Sequence, residues 1–106
     1  MDEAQAISAF AAMGQTDRLR ILRRLVTAGP AGLAAGALAE ALAIAPSRLS
    51  FHLRALEAAG LVHARADARR RVYAPDYRAL GDLAAYLLHD CCGSDPEALK
   101  RCGLAS

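Results

Sequence analysis

One stretch constrains the fold more than any other: "APSRLSFHLRALEAAGLVHARADARRRVY", residues 45 to 73, changes its periodicity in the middle. Leu49, Leu53 and Leu56 recur at i, i+4 and i+7, which puts them on one face of a helix. Gly60 followed by Leu61 is a left-handed stop with its hydrophobic contact. Beyond it, β-branched and aromatic residues flank "ADAR", the pattern of a small hairpin whose ends, Leu61/Val62 and Val72/Tyr73, anchor it to the domain. Upstream, "ALAEALAI" (37 to 44) reads as a short helix. A short helix, a tight turn and a second helix with a leucine stripe make a helix-turn-helix. A basic hairpin directly after it makes that a winged helix. The expected fold is therefore mainly α with a small β-hairpin: a winged helix-turn-helix.

The rest of the chain supplies the frame. Residues 3 to 13 read as a helix with Ile7, Phe10 and Met13 on one side, stopped at Gly14. Thr16 is the expected N-cap of the next helix, in which Leu19, Leu22, Leu25 and Val26 form an inward stripe. Arg20, Arg23 and Arg24 fall elsewhere, read as a solvated face before a DNA contact. "PDYRALGDLAAYLLHDCC" reads as one more helix, with Leu80, Leu83, Ala84, Leu87 and Cys91 on one stripe. It follows the wing, so the DNA-reading unit is complete without it. The first and last helices are then the natural surface of a homodimer. Residues 1–92 are expected to form the DNA-binding and dimerisation domain, and 93–106 a C-terminal loop and tail.

Composition agrees with that frame. A chain of 106 residues is one domain, and although 55% of it is hydrophobic, alanine supplies nearly half of that share. There is no Trp and only five other aromatics, so burial per residue is modest and a shared dimer core is useful. No stretch approaches the roughly 18 apolar residues of a membrane span. The acidic start "MDEAQ" is unlike a secretory signal, so a cytoplasmic setting with reduced thiols is expected. The net charge of +2 says little, but its distribution says more. Residues 46 to 73 hold six arginines against Glu57 and Asp67, whereas the remainder is net acidic.

In a helix-turn-helix the second helix enters the major groove, its N-terminal residues nearest the bases. The outward positions here are Ser47, Arg48, Ser50, Phe51, His52, Arg54 and Ala55. Arg48 and Arg54 suit phosphate or guanine, and the serines suit phosphate or base. Phe51 either meets a thymine methyl or fills the core. His52 either meets DNA or is a satisfied structural histidine. Arg69, Arg70 and Arg71 cannot all point inward from a strand, so at least one faces the DNA backbone or minor groove, unless the turn is merely solvated.

In "TDRLRILRRL", "SFHLRALEAAGLV" and "RRRVY", in that order and spacing, the chain resembles the ArsR-type (ArsR/SmtB) family of winged-helix metalloregulatory repressors, over residues 10 to 92. The resemblance implies a cytoplasmic homodimer that binds double-stranded operator DNA and is released when a metal or metalloid binds. Many arsenic-responsive members carry a cysteine pair in the first helix of the helix-turn-helix; "ALAEALAI" has none. The carboxylate and histidine spacing of zinc-type members is absent from "DLAAYLLHDCC", although Asp82, His89 and Asp90 are there. Cys91, Cys92 and Cys102 resemble instead the variant sensors whose last helix ends in a cysteine pair, with a third soon after. The wing turn has Ala68 where the family usually has glycine.

Three soft thiolates without a carboxylate constellation favour a thiophilic ion. Zinc wants a fourth ligand, with His89 or water as candidates. Arsenite and antimonite form three-sulfur complexes and need none, so ligand count points to As(III) or Sb(III), with Cd(II) and Pb(II) open. Adjacent helical residues point about 100° apart, so Gly93 must break the helix before Cys91, Cys92 and Cys102 converge. A thiol redox switch on the same fold is the alternative regulator. An enzyme such as an arsenate reductase is the alternative of another class. Against it, Cys91 and Cys92 stand at a helix C-terminus, where thiolate is disfavoured. No arginine follows a cysteine at the spacing of a phosphate cradle. The expectation is a repressor with no catalytic residues and no catalytic cofactor.

Overall fold

The computed structural model describes residues 1–91, 93 and 95–103, Cys91 by its backbone only. The elements run α1 (Glu3–Met13), α2 (Thr16–Ala28), β1 (Leu33–Ala34), α3 (Ala35–Leu42), α4 (Pro46–Ala58), β2 (Val62–Asp67), β3 (Arg70–Pro75) and α5 (Tyr77–Ala85). A π-helical segment (Tyr86–Cys91) and a short α6 (Pro96–Arg101) follow. The fold is a winged helix-turn-helix, mostly helical, with α3 and α4 as the helix pair and β2–β3 as the wing. No helix among the described residues is long and apolar enough to cross a membrane.

The leucine stripe of α4 does what its spacing requires: Leu49, Leu53 and Leu56 are fully buried against Ile21, Leu25 and Leu38. Pro46 at the first turn presets the helical φ. At the other end Gly60 takes φ +79°, which lets the Leu61 N–H reach the Leu56 carbonyl at 3.0 Å and seats Leu61 in the core. Between α3 and α4 the turn passes through Ala43 at φ +54°, a left-handed position taken without glycine.

Several expectations are corrected. The N-cap of α2 is Gln15, not Thr16: Gln15 is extended and its side-chain oxygen accepts from the Arg18 N–H at 3.0 Å. The buried face of α2 is Ile21, Leu22 and Leu25, while Leu19 and Val26 stay exposed. They line, with Met13, Leu22 and Leu80, a groove of about 340 Å³ open to solvent. Helix α1 packs through Ala6, Ala9 and Ala12, small side chains that let it lie close, and turns Ile7 and Phe10 outward. The last helix is not one α-helix: it leaves α geometry after Ala85 and widens into the π-helical segment, so an i, i+4 stripe does not run unbroken to Cys91. Leu83 is buried and Leu87 is exposed.

The wing is also wider than a hairpin. β1 adds a third antiparallel strand in the order β1-β3-β2, pairing Leu33 with Tyr73 and Ala34 with Val72. β2 and β3 pair from Val62↔Pro75 to Asp67↔Arg70, leaving Ala68 and Arg69 as the tip. Ala68 adopts φ +56°, the conformation for which glycine is usual. The Arg65 guanidinium donates to the Ala31 carbonyl at 2.8 Å and fastens the wing to the segment before β1.

Candidate nucleic-acid interface

The buried leucines of α4 determine what its other face can present. Ser47, Arg48, Ser50, Phe51 and Arg54 are all exposed. Ser47 and Arg48 lie in the first turn, the part of a reading helix nearest base edges. Phe51 is 61% exposed, so it does not fill the core; its ring lies edge-on to His52, and the Arg18 guanidinium carbon stands 5.8 Å from its centroid. Arg54 has no ion pair or hydrogen bond among the described residues.

His52 sits differently from the rest of the predicted set. It is only 6% exposed, and both ring nitrogens face α2. Nδ1 accepts from Arg18 Nε at 3.2 Å, so the ring proton belongs on Nε2, which faces Asp17 Oδ2 at 3.6 Å. The satisfied structural histidine is thus the reading that matches its surroundings.

The wing arginines divide by the alternation of a strand. Arg71 turns back: its Nε donates to the Tyr73 hydroxyl at 3.1 Å, and an Nη lies 3.5 Å from Glu57 on α4. Arg70 pairs with Asp67 across the turn at 3.0 Å. Arg69, at the tip, is exposed and has no ion pair or hydrogen bond among the described residues. Asp17 and Arg18 belong to the site as well, meeting α4 from far away in the chain. No local spacing signals such a contact.

At the other end of the chain, α6 is capped by Asp95, whose side chain accepts from the Glu97 N–H at 3.0 Å, and it ends at an exposed Cys102. Cys92 and the side chain of Cys91 lie outside the described residues. Among the described residues no three His, Cys, Asp or Glu side chains are grouped to hold a metal ion.

A helix-turn-helix domain family model matches residues 13–65, half of the chain. Solved structures extend the likeness over most of its length. An ArsR-like transcriptional regulator from Rhodococcus sp. RHA1 is 29% identical with a TM-score of 0.77, over 97% of this chain and 94% of that one. HlyU from Vibrio cholerae N16961 is 31% identical with a TM-score of 0.66, over 86% of this chain and 97% of its own. The homodimeric winged helix-turn-helix domain of Mb0332 from Mycobacterium bovis, a possible ArsR-family regulator, is 26% identical over 82% and 84%, with a TM-score of 0.64. A comparison with curated protein sequences found no match.

Proposed function

The chain belongs to the helix-turn-helix domain family, among the ArsR-type winged-helix transcriptional regulators, and from that premise we propose that it is a cytoplasmic dimeric repressor released from operator DNA by As(III) or Sb(III). The observation that carries the DNA half is the outward set of α4. Polar and cationic side chains and one solvated aromatic ring stand opposite a fully buried leucine stripe. Helix α4 enters the major groove. Arg48 and Arg54 read guanine or phosphate, Phe51 meets a thymine methyl, and Ser47 and Ser50 donate to phosphate or base. At the wing, Arg69 and Arg70 reach the backbone, while His52 and Arg71 hold their neighbours in place.

Dimerisation through α1 and the last helix is supported by the exposed Ile7, Phe10 and Leu87, and by the homodimeric relative. A two-fold dimer sets its reading helices about 34 Å apart, one turn of DNA. A small rotation of the subunits then misaligns one of them.

The inducer half rests on donor chemistry. Cys91, Cys92 and Cys102 comprise every thiol in the chain. Arsenous acid exchanges three hydroxyls for three thiols, forming three As–S bonds and releasing three waters. The wider π-helical turn that precedes Cys92 supports a reshaping of the helix end on capture. A coupling of about 1–3 kcal/mol to DNA affinity is the usual allosteric range. Regulation of this kind needs no catalytic residue.

The test is a mobility shift on the DNA upstream of the protein's own gene, titrated with As(III), Sb(III), Cd(II), Pb(II), Zn(II) and an oxidant. Release by the trivalent ions at the lowest concentrations is the expected result. Release by oxidant alone would support a thiol redox switch, and arsenate turnover without DNA binding would support an enzyme. Acidification separates the metals as well. A divalent ion displaces protons from thiols, so Cd(II) sensitivity falls at lower pH. The arsenite exchange conserves protons, so its equilibrium sensitivity stays nearly level. Arg69→Ala should weaken binding to operator and scrambled duplex alike, lowering the salt slope by about 1; a loss confined to the operator would contradict a backbone contact.

A further inference from the structure

We infer that Asp17 is a positioning residue for sequence reading: a carboxylate on α2 that aims the Arg48 guanidinium at the duplex. This rests on α4 being the DNA-facing helix and adds a specificity-determining residue outside it. Asp17 stands in the first turn of α2, where the positive end of the helix suits a carboxylate. Its side chain is only 16% exposed and is held from several sides. Oδ1 accepts from Arg20 Nη1 at 3.1 Å, and Arg20 Nη2 donates to the Leu42 carbonyl at the end of α3 at 2.7 Å. The Nε2 edge of buried His52 faces Oδ2 at 3.6 Å, and His52 is itself fixed by Arg18. The carboxylate is therefore tied to both helices of the pair.

Oδ2 also forms an ion pair with Arg48, whose Nη2 lies 3.2 Å away. That is a single contact: Nη1 and Nε of Arg48 are left to other partners, and the side chain is 55% exposed. An exposed arginine in the first turn of a reading helix, steadied by one fixed carboxylate, is pre-organised to present its remaining donors to the two acceptors of a guanine. Without the carboxylate the guanidinium is loose and free to settle on any phosphate. Asp17 therefore favours a base contact over a sequence-blind one.

The test compares the upstream duplex with a scrambled duplex of equal length, for wild type, Asp17→Asn, Arg48→Ala and the double variant. Asp17→Asn should lower the ratio of the two affinities roughly five- to tenfold, the low end of what one bidentate base contact discriminates. It should also steepen the salt slope on scrambled DNA by about 0.9, one added phosphate contact. In the Arg48→Ala background the same substitution should change neither. A merely structural role would lower both affinities together and leave their ratio unmoved.

A wild-type ratio and slope in Asp17→Asn, or an equal shift without Arg48, overturns the inference. A wild type that does not distinguish the two duplexes overturns the operator-reading proposal on which the inference rests. Should Asp17→Asn fail to fold, nitrogen NMR of the wild type decides. Rotation of the Arg48 guanidinium should be slower than that of Arg54, free and bound, and equal mobility in the free protein would refute the restraint.

Discussion

Cys102→Ser should leave DNA binding at its wild-type level while raising the arsenite needed for release by at least about 10–100-fold. The substitution keeps the size of the side chain and exchanges a soft thiolate for a hard hydroxyl, which a thiophilic ion accepts poorly. Partners that merely orient a metal ligand are worth about 10–100-fold in affinity, so loss of a ligand itself should cost no less. The position separates the two effects. Cys102 is exposed at the end of α6, outside the buried cluster that seats α4. Cys91→Ser and Cys92→Ser should give the same outcome. Anisotropy of a labelled upstream duplex, titrated with arsenite at fixed protein, reads both quantities together. Wild-type release by Cys102→Ser would reduce the site to two thiols and remove the reason for preferring a trivalent ion.

Gly32→Ala should be the most damaging single-methyl change in the wing. Gly32 holds φ +77°, and a Cβ there would stand 2.4 Å from the Tyr73 carbonyl oxygen and 3.1 Å from Val72 Cγ1. The first is backbone within the sheet, so it cannot swing aside as a side chain would. A left-handed non-glycine residue costs about 1–2 kcal/mol, and forced overpacking typically adds about 1–3. The sum is a large share of a small domain's stability. The strain falls where β1 pairs with β3, at Leu33↔Tyr73. Relief requires β1 to lift, which loosens the strand that carries Arg70 and Arg71. Thermal unfolding should show a drop of many degrees. Surviving folded protein should bind DNA more weakly, because the wing is no longer held at its root. An unchanged melting temperature would mean that β1 contributes nothing to anchoring the wing.

Gly32 also shows where the sequence stops being legible. The helix pair and hairpin could be read because each announces itself locally. Leu49, Leu53 and Leu56 repeat at helical spacing, Gly60 stops the helix, and β-branched and aromatic residues flank the wing turn. β1 is two residues long and exists only because β3 lies beside it, so nothing in "GLAA" marks a strand. On α2, Leu19 and Val26 fit an apolar stripe as well as Ile21 does. Packing chose the face that meets Leu25 and α4. The α-to-π change after Ala85 leaves no trace in a pattern that reads equally well at either spacing.

The exposed face of α4 was legible in the sequence, but its bonds to other elements were not. Ser47, Arg48, Ser50, Phe51 and Arg54 follow from knowing which side of α4 is buried. His52 does not, because its burial depends on Asp17 and Arg18 arriving from α2. The wing arginines were a cluster in the sequence. Tyr73, Glu57 and Asp67 sort them into one turned back, one paired across the turn and one projecting.

If the proposed dimer is switched by its three thiols, bound arsenic must sit in an all-sulfur site. Arsenic K-edge X-ray absorption on the protein, loaded with one equivalent of arsenite per subunit, reads that coordination shell. An all-sulfur site gives three sulfur neighbours and no oxygen or nitrogen in the first shell. A shell retaining oxygen or nitrogen, or holding only two sulfurs, would contradict it.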